Sequence, residues 1–159
     1  MNSDQADILD LLAGHTDDST IERLAFECLM TSLTDDRVAS LMNVLGWRGD
    51  FDCFAIGGTP ETSPASASLV ARKAVRDLGG EHVIVGTYGS FLLALVCQSG
   101  AATAEVTCTS IMPAFKDDES VYLSPVRSGV AGASHVLRET LFPCRRLPLG
   151  VAVPPVACR

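Results

Sequence analysis

Residues 82–97 read HVIVGTYGSFLLALVC. Two apolar runs flank a short polar turn that contains Gly89, and that arrangement signals a β-hairpin. Neither run alternates with polar residues, so each strand is expected to be buried on at least one face. Just upstream, Ser63 is placed to cap a helix that has Pro64 at its first position. That helix carries Val70, Ala71, Ala74, Val75 and Leu78 and stops at Gly79. Before it, residues 51–56 (FDCFAI) form an apolar run of strand length closed by Gly57-Gly58, and TPETSPASAS is a loop. Downstream, the spacing of Ala104, Val106, Cys108, Ile111 and Met112 allows a helix, although Thr103, Val106, Thr107 and Thr109 lower its propensity. Lys116-Asp117-Asp118-Glu119 reads as a solvated turn and Val121-Tyr122-Leu123 as a strand. A last helix over residues 128–146 has Ala133, Val136, Leu137 and Leu141 on one face and is disturbed at Pro143. The tail VAVPPVACR is at most an edge strand, because Pro154-Pro155 cannot donate to a central ladder.

The first 48 residues read as helices. Asp4 caps a short one carrying Ile8, Leu9, Leu11 and Leu12, with Gly14 as its stop. Ser19-x-x-Glu22 has the form of a capping box ahead of Ile21, Leu24, Ala25, Cys28 and Leu29. A third helix starts at Asp35 or Asp36, buries Val38, Leu41, Met42 and Leu45, and ends at Gly46. Strands and helices then follow as β-α-β-β-α-β-α-β. The expected fold class is therefore α+β, a ferredoxin-like βαββαβ sandwich preceded by N-terminal helices. The division expected is a helical segment over 1–48 and an α+β domain over 49–159.

Composition bounds the function. The chain has 159 residues, 47% apolar and 19% charged, with mean hydropathy +0.27. That supports a real core and excludes whole-chain disorder. No run approaches ~18 apolar residues, so no membrane helix is expected. The polar start MNSDQADILD is neither a signal peptide nor a transit peptide, and a cytoplasmic location is expected. Net charge is −7 and pI about 4.8, which argues against this stretch gripping a phosphate backbone by itself.

No constellation for chemistry emerges. Cys28, Cys53, Cys97, Cys108, Cys144 and Cys158 include no CxxC pair and match no zinc or iron–sulfur spacing, so reduced structural thiols are expected, with Cys158 the exposed one. His15, His82 and His135 are far apart and lack ligand partners at i+3 or i+4. Ser90 lacks the GxSxG elbow, and Ser128-Gly129 has no triad partner at a recognisable spacing. Gly57-Gly58 and Gly86-x-x-Gly89 complete neither GxGxxG nor a P-loop. Asp117, Asp118 and Glu119 are adjacent and so point in different directions. The expectation is a non-enzyme with no metal and no cofactor.

Three stretches together resemble the GGDEF-like domain of PucR/CdaR-type transcriptional regulators. LMNVLGWRGDFDCFAIGG is similar to that domain's approach and first strand, and VIVGTYGSFLLALV to its hairpin. VYLSPVRSGVAGASHVLRETLFPCRRLP is similar to its last strand and helix, and the upstream ILDLLAG and IERLAFECLMTSL fit what precedes it. The resemblance covers most of residues 20–159 and implies a nucleotide-cyclase-like α+β fold. A diguanylate cyclase carries Gly-Gly-Asp/Glu-Glu-Phe on the hairpin turn, where glycines admit the nucleotide and acids help hold metal and triphosphate. Here the turn reads Thr87-Tyr88-Gly89-Ser90-Phe91, without a carboxylate. The Asp that such enzymes carry at the end of the first strand is replaced by Ile56-Gly57-Gly58, and Asp52 comes too early.

The resemblance thus implies a degenerate, non-catalytic regulatory or dimerisation domain of a bacterial regulator. DNA would be bound only through a helix-turn-helix domain that this chain does not show, so a fragment of a longer regulator is expected. A homodimer is expected, with self-association through Leu24/Cys28 and Val38/Leu41/Met42/Leu45 unless those stripes simply cap the sheet. The alternative is a stand-alone small-molecule or nucleotide sensor, its effector held near Gly57, Thr59, Thr87 and Tyr88.

Overall fold

The computed structural model describes residues 18–80, 82–116 and 121–146, with residues 18 and 142–146 described by their backbone alone. The helix expected at Ile8, the acidic turn at Asp117 and the proline-containing tail lie outside the described residues.

The hairpin forms as expected. Strands β2 (Val83–Tyr88) and β3 (Phe91–Cys97) pair antiparallel from Val83↔Val96 to Tyr88↔Phe91, leaving Gly89-Ser90 as a two-residue turn. Gly89 has φ +61°, the backbone sign that the first central position of a tight hairpin turn requires. Strand β1 (Asp52–Gly58) lies antiparallel against β3. On its other side β1 meets β4 (Tyr122–Leu123) and β5 (Arg127–Ser128). The order β2-β3-β1-β4, antiparallel throughout, is that of a ferredoxin-like βαββαβ unit. Its crossovers are α3 (Pro64–Asp77) and α4 (Ala104–Ile111), the latter continued by a short 3₁₀ turn over Met112–Ala114. The threonine-rich segment is therefore helical, and its inward positions Thr107, Cys108 and Ile111 are buried.

Strand β5 was not expected from the sequence. Pro125 has no N–H for the ladder, so the chain leaves β1 after Leu123 and rejoins it at Arg127. Ser124 bridges the gap: its Oγ accepts the Ala55 N–H at 2.8 Å, and its own N–H donates to the Ala55 carbonyl at 2.9 Å.

The sheet is covered on both faces, a third layer beyond the expected sandwich. On one face Cys53, Ala55, Ile84, Leu93 and Leu95 pack against α1 (Asp18–Met30), α2 (Asp36–Val44) and α5 (Gly129–Arg146). On the other, Phe54, Ile56, Leu92, Ala94 and Val96 pack against α3 and α4. Alternate residues of one strand serve two cores, which is why the hairpin strands read as unbroken apolar runs. The core on the first face runs across residues 48 and 49, joining Ile21, Leu29 and Met42 to the sheet. Ser134 on α5 adds a tie by donating to the Leu29 carbonyl at 2.6 Å, satisfying an acceptor near the end of α1.

Helix starts follow the local code at two of three places. Asp35 caps α2, accepting from the Arg37 and Val38 N–H groups, and Ser63 caps α3, accepting from Ser66 N–H. The capping box at Ser19 and Glu22 does not form, because α1 already contains Ser19 and Glu22 is turned inward. Among the described residues no helix is long and apolar enough to cross a membrane.

Candidate functional site

The register gathers the residues singled out at the hairpin end. Gly58 of β1 faces Leu92 of β3, and Leu92 faces Thr87 of β2, so the three form one row across the sheet. Thr87 is exposed, as are Tyr88, Gly89 and Ser90 beyond the row, and Thr59 is half-buried. The end of β1 is closed over. Thr59 O accepts the Lys116 N–H at 2.8 Å, Glu61 N–H donates to Ala114 O at 2.9 Å, and Pro60 bridges to Phe115. The Phe115 ring lies so near Gly58 that a Cβ there would come within 2.9 Å of it. Asp52 sits at the opposite end of β1, about 20 Å away at ~3.4 Å per residue, where it accepts the Ser128 hydroxyl at 2.6 Å. Among the described residues no group of three His, Cys, Asp or Glu side chains could hold a metal ion.

A different polar cluster, missed by sequence reasoning, lies on the outer edge of β2. Cys97 N–H donates to His82 O, so residues 82, 84 and 86 face β3 while 83, 85 and 87 present their backbone groups to the open edge. An exposed edge of this kind invites pairing with another chain unless it is covered. Glu22 covers it: Oε2 accepts the Val85 N–H at 2.8 Å, and the two carboxylate oxygens take both terminal nitrogens of Arg72, Nη1 at 2.8 Å. The Glu22 side chain is only 9% exposed and that of Arg72 27%, so the pair is largely out of water.

Beyond this pair lies a cavity of about 290 Å³, lined by Trp47, Arg72, Arg76, Gly80, His82 and Val83 among others. A second hollow of about 360 Å³ lies against the outer side of α2, between Asp36, Asn43, Arg48 and Val130. Neither includes the hairpin turn.

The remaining sequence candidates stay apart. His82 is half-buried, its ring 6.2 Å from that of Trp47, while His135 is exposed with Nε2 3.7 Å from Glu139. His15 lies outside the described residues. Ser90 is exposed on the turn. Cys53 is fully buried, and desolvation, then Cys97 and Asp52, push its thiol up to about 12. Burial, then Asp35, also raises Cys28. Cys108 is disulfide-bonded, which corrects the expectation that the cysteines are all reduced thiols.

A βαββαβ sheet with a tight hairpin at one end and helices on both faces is an α+β domain of ferredoxin-like build. The chain belongs to the GGDEF-like domain family, whose profile matches residues 31–141. It is also similar, at 69% identity and a TM-score of 0.82, to the crystal structure of the regulator of polyketide synthase expression from Bifidobacterium adolescentis. That likeness covers 89% of this chain and 58% of the other, so the chain spans a little under three fifths of that protein. No curated protein matches the chain.

Proposed function

We propose that this chain is the degenerate, non-catalytic regulatory and dimerisation domain of a PucR/CdaR-type bacterial transcriptional regulator. The observation that carries the reading is the 69% identity, over 89% of the chain, to a protein named as a regulator of polyketide synthase expression. Absence of catalysis is argued from the hairpin end. Thr87-Tyr88-Gly89-Ser90 supplies hydroxyls but no carboxylate, and the end of β1 is covered by Phe115. Without a carboxylate of its own, the turn has no ligand for the metal of a triphosphate. The reading puts the protein in the cytoplasm and assigns DNA contact to a helix-turn-helix domain outside this chain.

Self-association needs a revised surface. Val38, Leu41 and Met42 are spent on the intramolecular core, and Leu24, Cys28 and Leu45 are partly buried against it. Among the described residues the large apolar side chains left exposed on α1, α2 and the turn between them are Leu33 and Val44, and these carry the proposed homodimer contact, while Leu69, Val70 and Val106 are exposed on α3 and α4. Light scattering of wild type and Val44→Asp tests it, and a dimer unchanged by the substitution overturns that assignment. For the whole reading, the test is the intact mass of the native protein with its DNA binding. The expected result is a polypeptide well above 16.8 kDa that binds DNA, and a native product near 16.8 kDa refutes it. The alternative reading is a stand-alone sensor with its ligand near Gly57, Thr59, Thr87 and Tyr88.

A further inference from the structure

Glu22 shows how the β2 edge receives a carboxylate: one oxygen on the outward Val85 N–H and both on the Arg72 guanidinium. The same two kinds of donor recur one step along. Val83 lies two residues back on β2 with the same outward backbone, and Arg76 lies four residues on along α3. Because Arg72 meets Val85 at Glu22 while Arg76 and Val83 line the cavity beyond, helix and strand run in opposite directions and the two steps go the same way. Their lengths agree: two strand residues advance about 6.6 Å and four helical residues about 6 Å. This second station is the 290 Å³ cavity. Among the described residues no side chain fills it as Glu22 fills the first, and Arg76 forms no ion pair.

The cavity combines polar and apolar lining. Among the described lining residues Arg72 and Arg76 outweigh Glu22, in a chain of net charge −7. The apolar lining comes from Leu45, Trp47 and Val75. A planar guanidinium beside a strand N–H offers donors enough for the two oxygens of a carboxylate, and Glu22 shows that pairing one step along. The volume is at the small end for ligand pockets, which run from roughly 300 Å³ upward.

We propose that this cavity binds a small organic carboxylate. Its oxygens take the Val83 N–H and the Arg76 guanidinium, and its apolar body lies against Leu45, Trp47 and Val75. The site is independent of whether the chain serves a transcriptional regulator. It is tested by following backbone and indole N–H resonances while benzoate, hexanoate and the neutral benzamide are titrated into wild type and Arg76→Ala. The expected result is a saturable shift of the Val83 amide and Trp47 indole with benzoate or hexanoate. Affinity should fall about tenfold or more in Arg76→Ala and by as much for benzamide, the loss of one charge-assisted contact. Arg76 is exposed, so the variant should fold, and retained amide dispersion verifies it. The proposal is overturned if neither acid shifts those two resonances at millimolar concentration, if Arg76→Ala binds as tightly, or if benzamide binds as well as benzoate.

Discussion

Replacing Glu22 tests the physical reading of the β2 edge. Glu22→Ala removes the acceptor of the Val85 N–H and both carboxylate oxygens that hold Arg72 at once. An orphaned buried N–H costs about 1–3 kcal/mol. An unpaired buried charge costs about 3–5 kcal/mol when it is wholly enclosed, but the Arg72 side chain is 27% exposed and regains water. We therefore expect a loss of about 3 kcal/mol, a fall in Tm of roughly 6–12 °C for a domain of this size. Glu22→Gln keeps an oxygen for Val85 and loses the charge, so it should lose about half as much. The double variant Glu22→Ala/Arg72→Ala should be less destabilised than the sum of its single variants, by about 1–2 kcal/mol, since neither charge is then left alone. Urea unfolding followed by circular dichroism measures all five proteins (wild type, Glu22→Ala, Glu22→Gln, Arg72→Ala and the double variant), and amide exchange at Val85 reports the edge directly. A loss below about 1 kcal/mol for Glu22→Ala, or strict additivity in the double variant, would refute the reasoning.

Three further outcomes follow from particular contacts. Gly86→Ala should destabilise by about 1–3 kcal/mol through overpacking, because a Cβ there would lie 2.5 Å from the Phe26 ring; an unchanged urea midpoint contradicts it. Cys53, with its thiol near 12 and no exposed surface, should be alkylated far more slowly than half-buried Cys28 in the native protein, as mass spectrometry of peptides would show; equal rates count against the packing. The hydrogen bonds from the Arg37 side chain hold the Asp35 carboxyl below its ordinary 3.8, so its contribution to stability is full above that value and is lost as pH falls through the lower folded-state value. The gap in Tm between wild type and Asp35→Ala should accordingly close below about pH 3.8, and a gap that widens there would contradict the sign.

What was legible in the sequence was local. Gly89 in its two-residue turn, Ser63 with Pro64, and Asp35 each act on neighbours within three residues, so their signals are complete in a short window. The ferredoxin-like strand order followed once those elements were in place. Glu22 was misread because Ser-x-x-Glu satisfies the pattern of a capping box, while its actual partners are 50 and 63 residues away. Strand β5 left no trace, since Arg127 and Ser128 are exposed polar residues defined only by their register with β1. The second helical layer was foreshadowed by the missing alternation in FLLALV, which calls for cover on both faces. The candidate site was legible mainly as what the hairpin turn lacks. The cavity beyond Glu22 was not, because Trp47, Arg76 and Val83 converge only in the folded chain.

The central claim is that the hairpin end of this domain performs no nucleotide chemistry. The most direct test is to incubate the native protein with GTP and Mg²⁺ or Mn²⁺ and analyse the mixture by liquid chromatography and mass spectrometry. The account predicts GTP unchanged and no cyclic dinucleotide above a protein-free control. Cyclic di-GMP formed in proportion to protein, and lost on mutation of the turn at Gly89-Ser90, would contradict it.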